Sequence, residues 1–351
     1  MRDLPGRRGP LNIRSRGGDR YTASVRIPTD RDGMQGRQCP KRDCKPRYFK
    51  VKPGTGCDRK QACCPYCGHE AGHQKFSTPS QTRYAKDLAM REFEQRVPKM
   101  VEDSLREELG LRRGQRKKDL GFGLSLELRG SRPVPRRLVR PPVEERLKRD
   151  LACPGCKLQF AVFGIATWCP DCGDDVFLAA VDAEFTVVQA ILGDVSTRRE
   201  RLGERVASRD VENALEDVVS TFEAVIRKMV LRALLERGDS RENAAEKLRK
   251  KGNCFQSVAR GSRESVDLLQ EDLFSGLTAV EVSEIERSFE ARHPVTHNAG
   301  VVDRKYLDKT GSREREGGEV RISVAQVERC VELCLRVVRG FHGRLFHRPE
   351  V

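Results

Sequence analysis

Histidine is scarce in this chain of 351 residues: His69, His73, His293, His297, His342 and His347 are the only six. Imidazole chemistry is therefore confined to few places, and two of the six fall inside one heptapeptide, Arg292-His-Pro-Val-Thr-His-Asn298. Long apolar runs are missing too. No stretch of eighteen apolar residues occurs, which argues against a membrane-spanning helix, and Met1-Arg-Asp-Leu-Pro-Gly-Arg-Arg8 lacks the apolar core of a signal peptide. A soluble, cytoplasmic protein is expected, with no membrane partner. The one glycine-rich candidate for a phosphate loop, Pro53-Gly-Thr-Gly56, lacks the Gly-Lys-Ser/Thr ending that such a loop needs. Hydrophobic residues make up 37% and charged residues 34%, a balance that suits small cores joined by polar segments, and the length allows two or three domains.

What is abundant is positive charge, and it is unevenly placed. Residues 1–150 carry 37 Lys and Arg against 19 Asp and Glu, whereas residues 151–351 carry 30 against 33. The whole excess of +15 thus belongs to the first 150 residues, +18 there and −3 in the remainder. A polyanion, RNA or else DNA, is the expected partner of that half, because Lys and Arg that neutralise phosphates release condensed counterions. Between the cysteine-rich segments, Arg112, Arg113, Arg116, Lys117, Lys118, Arg129, Arg132, Arg136, Arg137 and Arg140 cluster among glycines and prolines. They are the candidate nucleic-acid-binding residues of a basic linker over residues 111–150, in which the alternation of Phe122–Leu128 marks one strand.

Cysteine is also plentiful, with thirteen in the chain, and in a cytosolic protein that number points to metal before disulfides. Cys153-Pro-Gly-Cys156 and Cys169-Pro-Asp-Cys172 form two Cys-x2-Cys knuckles separated by twelve residues, the arrangement that turns four thiolates onto one tetrahedral zinc. An earlier set pairs Cys39 and Cys44, with four residues between them in a wider loop, with the knuckle Cys64-Pro-Tyr-Cys67. Cys57, Cys63, His69 and His73 remain within reach as substitutes in that first set. Two structural zinc ions are expected, each closed by four sulfurs and so without an open position for catalysis. The intervening Tyr48–Lys52 and Lys157–Phe163 read as strands of zinc ribbons, spanning residues 1–77 and 151–190.

Helical signals fill the rest. Thr78-Pro-Ser-Gln81 reads as a capping box with proline at the first helical position, opening a helical segment over residues 78–110 that Pro98 should kink or divide. Val176–Val188 reads as a strand or two. Val211, Leu215, Val218, Val219, Phe222, Val225, Ile226 and Met229 then recur at helical spacing, as do Val324, Val327, Val331, Cys334, Leu335, Val338 and Phe341. Cys254, Cys330 and Cys334 read as small apolar core residues. The expected fold class is α+β: two small zinc ribbons followed by an all-α antiparallel helical bundle over residues 191–351, with the heptapeptide near the start of an inner helix and Pro294 in its first turn.

The run Asn253-Cys-Phe-Gln256, then Phe289-Glu-Ala-Arg292-His293-Pro-Val-Thr-His297-Asn298-Ala-Gly-Val-Val-Asp303 and Tyr306 before a terminal apolar helix, resembles the HEPN superfamily over roughly residues 195–347. The resemblance implies a metal-independent endoribonuclease with no catalytic cofactor, acting as a homodimer through the helical bundle. It implies that His297 is the acid or base on a ribose 2′-hydroxyl, that Arg292 holds the scissile phosphate, that His293 orients the pair or polarises the phosphate and that Asn298 adds a hydrogen bond. Products with cyclic phosphate ends and a role in defence or toxin-like growth control belong to the same implication, while the sequence does not say whether a silencing partner exists. The alternative is an inactive HEPN module whose zinc ribbons bind nucleic acid or protein.

Overall fold

The computed structural model describes residues 10–15, 21–109, 117–121, 124–127 and 138–346. Two compact units divide the chain, Met1–Asp175 and Val176–Val351.

The first unit is built from short antiparallel strands. A hairpin joins β1 (Leu11–Ser15) to β2 (Tyr21–Val25), and then β3 (Gln35–Gln38) pairs with β4 (Tyr48–Val51). β5 (Gln61–Cys63) and β6 (Glu70–Gly72) make a second small hairpin, followed by a single helical turn, His73–Phe76. α1 (Pro79–Glu108) starts at the expected cap, where the Thr78 hydroxyl accepts from the Gln81 amide and the Gln81 side chain returns to the Thr78 amide. It runs on through Pro98 as one helix of 30 residues, so the proline does not divide it. Beyond α1 lie the hairpin of β7 (Lys117–Gly121) and β8 (Leu124–Glu127), then β9 (Arg149–Ala152) and β10 (Gln159–Val162).

The order β3-β4-β10-β9 places a strand from each cysteine-rich segment side by side, with Phe160 opposite Val51 and Val162 opposite Phe49. Two separate ribbons are what the sequence pattern suggests; in the structure they share one sheet. Its core is aromatic. Phe49 and Phe160 are fully buried, and Phe49 meets Phe76 and Tyr66 edge-on at centroid distances of 5.9 and 6.5 Å. The C-terminal part of the basic linker is tied in as well: Glu144 accepts from the Tyr48 hydroxyl at 2.5 Å and from the Gln81 amide at 3.0 Å.

The second unit is helical: α2 (Phe177–Leu202), α3 (Glu204–Glu236), α4 (Arg241–Lys251), α5 (Val258–Leu269), α6 (Ala279–His297), α7 (Arg304–Thr310) and α8 (Val324–Phe346), with one turn of 3-10 helix at Cys254–Gln256. Val176–Val188 is helical, not strand. Its buried Phe177, Val181, Phe185, Val188, Leu192 and Val195 repeat every three to four residues, and the β-branched richness that suggests a strand is overridden by packing against α3 and α8. Gly203, at φ +90°, reverses the chain between α2 and α3. All eight residues of the α3 stripe are buried, as are Val327, Val331, Cys334, Val338 and Phe341 on α8. Cys254, Cys330 and Cys334 are buried in this core.

Candidate functional site

Three knuckles share one backbone form. In each, the first cysteine amide donates to a carbonyl beyond the second cysteine: Cys64 to His69 at 2.9 Å, Cys153 to Leu158 at 2.9 Å, and Cys169 to Asp174 at 2.8 Å. The residue after the second cysteine is left-handed in all three, Gly68 at φ +67°, Lys157 at +65° and Gly173 at +79°. The wider Cys39–Cys44 loop is closed differently, by the Arg47 guanidinium on the Cys39 carbonyl at 2.7 and 2.9 Å.

These turns bring the sulfurs together in two groups of four, Cys39, Cys44, Cys64 and Cys67, and Cys153, Cys156, Cys169 and Cys172. Sγ–Sγ separations are 3.7 Å for Cys39–Cys67 and Cys44–Cys64, and 3.6 Å for Cys153–Cys172 and Cys156–Cys169. A zinc tetrahedron with sulfurs at 2.3 Å has edges of about 3.8 Å, so both groups fit structural zinc. Protons distribute accordingly. Hydrogen bonds from Cys44 and Cys64 hold the Cys67 thiol well below its ordinary range, while Cys44 is pushed up, the hydrogen bond to Cys67, burial and the Cys67 charge outweighing the hydrogen bond from Cys64. Crowded thiols that must share protons in this way are what a divalent cation relieves. Cys57, Cys63, His69 and His73 stand outside the first group: His73 meets the Arg59 carbonyl at 2.6 Å, and the His69 ring packs near Phe76.

A third close group, Cys57, Cys156 and Asp171, is a staple. The Asp171 carboxylate accepts from the amides of Cys57 at 2.5 Å, Asp58 at 3.1 Å and Arg59 at 2.9 Å, which occupies its lone pairs. Cys63 also donates to the Pro170 carbonyl at 2.9 Å, and Thr167 to that of Pro65 at 2.8 Å, so the two clusters are locked together. Asp171 carries no metal-ligand signal of its own in the sequence, and only its place inside a knuckle hints at this role.

The heptapeptide occupies the C-terminal end of α6, not its start. Thr278 and Glu281 form the capping box that begins this helix nineteen residues before it ends, and Ala299 at φ +53° lets the chain leave it. Pro294 accordingly sits in the last turns. A helix C-terminus offers carbonyls, not the free amide donors that a first-turn placement would have left for a phosphate.

The two histidines lie one turn apart with ring centroids 5.1 Å from each other, His297 exposed and His293 half-buried. Burial, with Lys305 and His297 nearby, lowers the proton affinity of His293 below that of a free imidazole. Arg292 points elsewhere. Five residues at about 100° each put Arg292 and His297 about 140° apart around the axis. The guanidinium donates to the Gln256 side-chain oxygen at 2.8 Å, and the Gln256 amide in turn meets Glu223 of α3. The Arg292 Nε is buried without a partner. Asn298 donates to the Val301 carbonyl at 2.8 Å and so fastens the helix exit.

Scans of protein-family models, of curated proteins and of solved structures find no match to this chain. The cysteine clusters and the helical second unit are therefore what is established. Among the basic residues, Arg140 is exposed and Lys117 and Lys118 lie on β7, while Arg112, Arg113, Arg116, Arg129, Arg132, Arg136 and Arg137 lie outside the described residues. Among the described residues no helix is long and apolar enough to cross a membrane.

Proposed function

We propose that the chain is a zinc-stapled, HEPN-like endoribonuclease that cuts RNA without a catalytic metal, in a site shared by two copies of the helical unit. One observation carries this reading: a relay from Glu223 through Gln256 to Arg292 fixes a guanidinium just before a pair of neighbouring histidines, their rings tilted at 56° to one another, at the C-terminal end of α6. Such a relay holds a cation in place without neutralising its outer edge. His297, exposed, is placed to exchange a proton with a ribose 2′-hydroxyl, and His293 stays neutral as a hydrogen-bond acceptor. Arg292 grips phosphate oxygens and offsets charge that builds in the transition state. Because Arg292 and His297 diverge around one helix, a second protomer supplies the facing group. His297 takes the 2′-hydroxyl proton as the 2′-oxygen bonds to phosphorus, the bond from phosphorus to the 5′-oxygen breaks, that oxygen takes a proton from the protonated His297 of the second protomer, and a cyclic phosphate and a 5′-hydroxyl remain. The basic first unit captures the RNA, and its zinc ions keep that surface folded.

The test uses the full-length, zinc-loaded protein and end-labelled RNA in magnesium-free buffer, with a brief EDTA arm. Wild type is expected to leave cyclic phosphate ends in both arms, and Arg292→Ala or His297→Ala to lose at least a hundredfold in rate, on the order of general acid–base contributions. Equal cleavage by wild type and both variants, or none at all, points to the alternative, an inactive helical module that binds nucleic acid or protein through the zinc unit.

A further inference from the structure

Among the described residues of the first unit, α1 carries an apolar stripe that stays exposed. On α1, Met90, Phe93, Met100, Val101 and Leu105 are 47, 61, 59, 51 and 41% exposed, values high for side chains of this size. At about 100° per residue the five fall within an arc of about 140°. Leu88, on the opposite side of the helix, is the large apolar residue that α1 buries. The stripe is nearly palindromic in spacing: Met90 and Leu105 are equidistant from the 97–98 peptide bond, and Phe93 and Val101 lie about equally far from it.

Charge shows the same polarity. Residues 79–99 hold Arg83, Lys86, Arg91, Arg96 and Lys99 against Asp87, Glu92 and Glu94, a formal +2, while residues 100–108 hold Arg106 against Glu102, Asp103, Glu107 and Glu108, a formal −3. Arg96 and Arg106 are engaged by Glu92 and Glu102 within the helix. Arg83 and Lys86 at one end and Glu108 at the other are exposed beside the stripe.

We infer that α1 is a homodimer interface, in which a second copy of this chain packs its own α1 antiparallel across a two-fold axis near Pro98. Antiparallel pairing sets Met90 against Leu105 of the second copy and Lys86 against its Glu108, so apolar register and charge are satisfied together. Parallel pairing would stack like charges at both ends. A self-complementary patch of this kind closes as a dimer and exposes no further edge. The inference stands on α1 alone and does not depend on the nuclease reading.

The experiment measures the solution mass of the full-length protein by light scattering, for wild type and for the exposed-site variants Phe93→Glu and Val101→Glu. Each variant is expected to halve the mass while circular dichroism and zinc content stay as in wild type. Orientation is read from cysteine crosslinking under mild oxidation, with wild type as the control for its native thiols. Met90→Cys and Leu105→Cys are each expected to stay uncrosslinked alone and to crosslink when mixed. An unchanged mass in both glutamate variants, together with no crosslink in the mixed cysteine variants, overturns the proposal and leaves the stripe to a segment of the same chain or to another protein; an unchanged mass with the mixed crosslink present means that the helical unit also holds the dimer. Crosslinking of each cysteine variant with itself overturns the antiparallel arrangement.

Discussion

Lys157 holds a left-handed backbone, at φ +65°, at the position that Gly68 and Gly173 take in the other two knuckles. A side chain there costs about 1 kcal/mol relative to glycine. Lys157→Gly is therefore expected to raise the stability of the first unit by up to about 1 kcal/mol, less a small loss of the exposed Lys157 contact with the Pro154 carbonyl, and zinc-loaded protein in a denaturant titration measures it. A second residue-scale case runs the other way. Lys50 is almost fully buried, and its ammonium meets Asp30 at 2.7 Å. Burial works against the Asp30 charge, but hydrogen bonds from Lys50 and the Met34 amide outweigh it and hold the carboxyl below its ordinary range. Asp30→Asn strands the buried ammonium, a change expected to cost roughly 3 kcal/mol. Replacing both partners with apolar residues should recover most of that loss in the same titration, and a double variant as unstable as the single one would refute this account.

At the scale of elements, α6 shows what a sequence can and cannot disclose. Its apolar residues and its closing heptapeptide are plain in the sequence, yet the helix was expected to begin where it ends. The Thr278 cap lies so far upstream that Pro294 draws attention first, and a proline is equally at home in a first turn. The α3 and α8 stripes were legible because burial on one face imposes a 3.6-residue period; the α2 stripe was missed because its β-branched residues also fit a strand. The shared sheet of the two cysteine segments was not legible, since pairing of β4 with β10 joins residues more than a hundred positions apart with no local signal. Where α6 meets α8, Glu281 accepts from Thr278 at its own cap and from Arg336 and Arg329 across the gap, which holds its carboxyl down to about 2. The Thr278 amide and Arg336 are what depress the folded value, which stabilises above the unfolded glutamate range, and that contribution fades as pH falls toward the folded value. Glu281→Gln should lower the melting temperature of the second unit at neutral pH, and the difference from wild type should shrink steadily from about pH 4.3 toward pH 2. A difference that is constant across that window would show that the charge on Glu281 is not what joins the helices.

Considered as a whole molecule, the chain concentrates its cysteine clusters in one unit and its larger helical core in the other. The two cysteine clusters are joined by the β4–β10 pairing, by the Asp171 carboxylate on three amides of the first segment, and by the Cys63 and Thr167 amides on opposite knuckles. Each segment alone is too small to bury a sufficient core, so metal binding and folding are one event in such units. Loss of either zinc should then release the other. Cys44→Ser, which removes a buried ligand of the first cluster, is expected to bring the zinc content of purified protein from two ions per chain to well below one, while the helical signal of the second unit persists. Metal analysis beside circular dichroism reads both quantities from one sample. If the variant keeps a full single equivalent, the clusters are independent ribbons that merely lie side by side, and the shared sheet is a contact without thermodynamic weight. If instead both ions go and the first unit melts in a single transition, the pairing of β4 with β10 is the step that makes one domain out of two motifs.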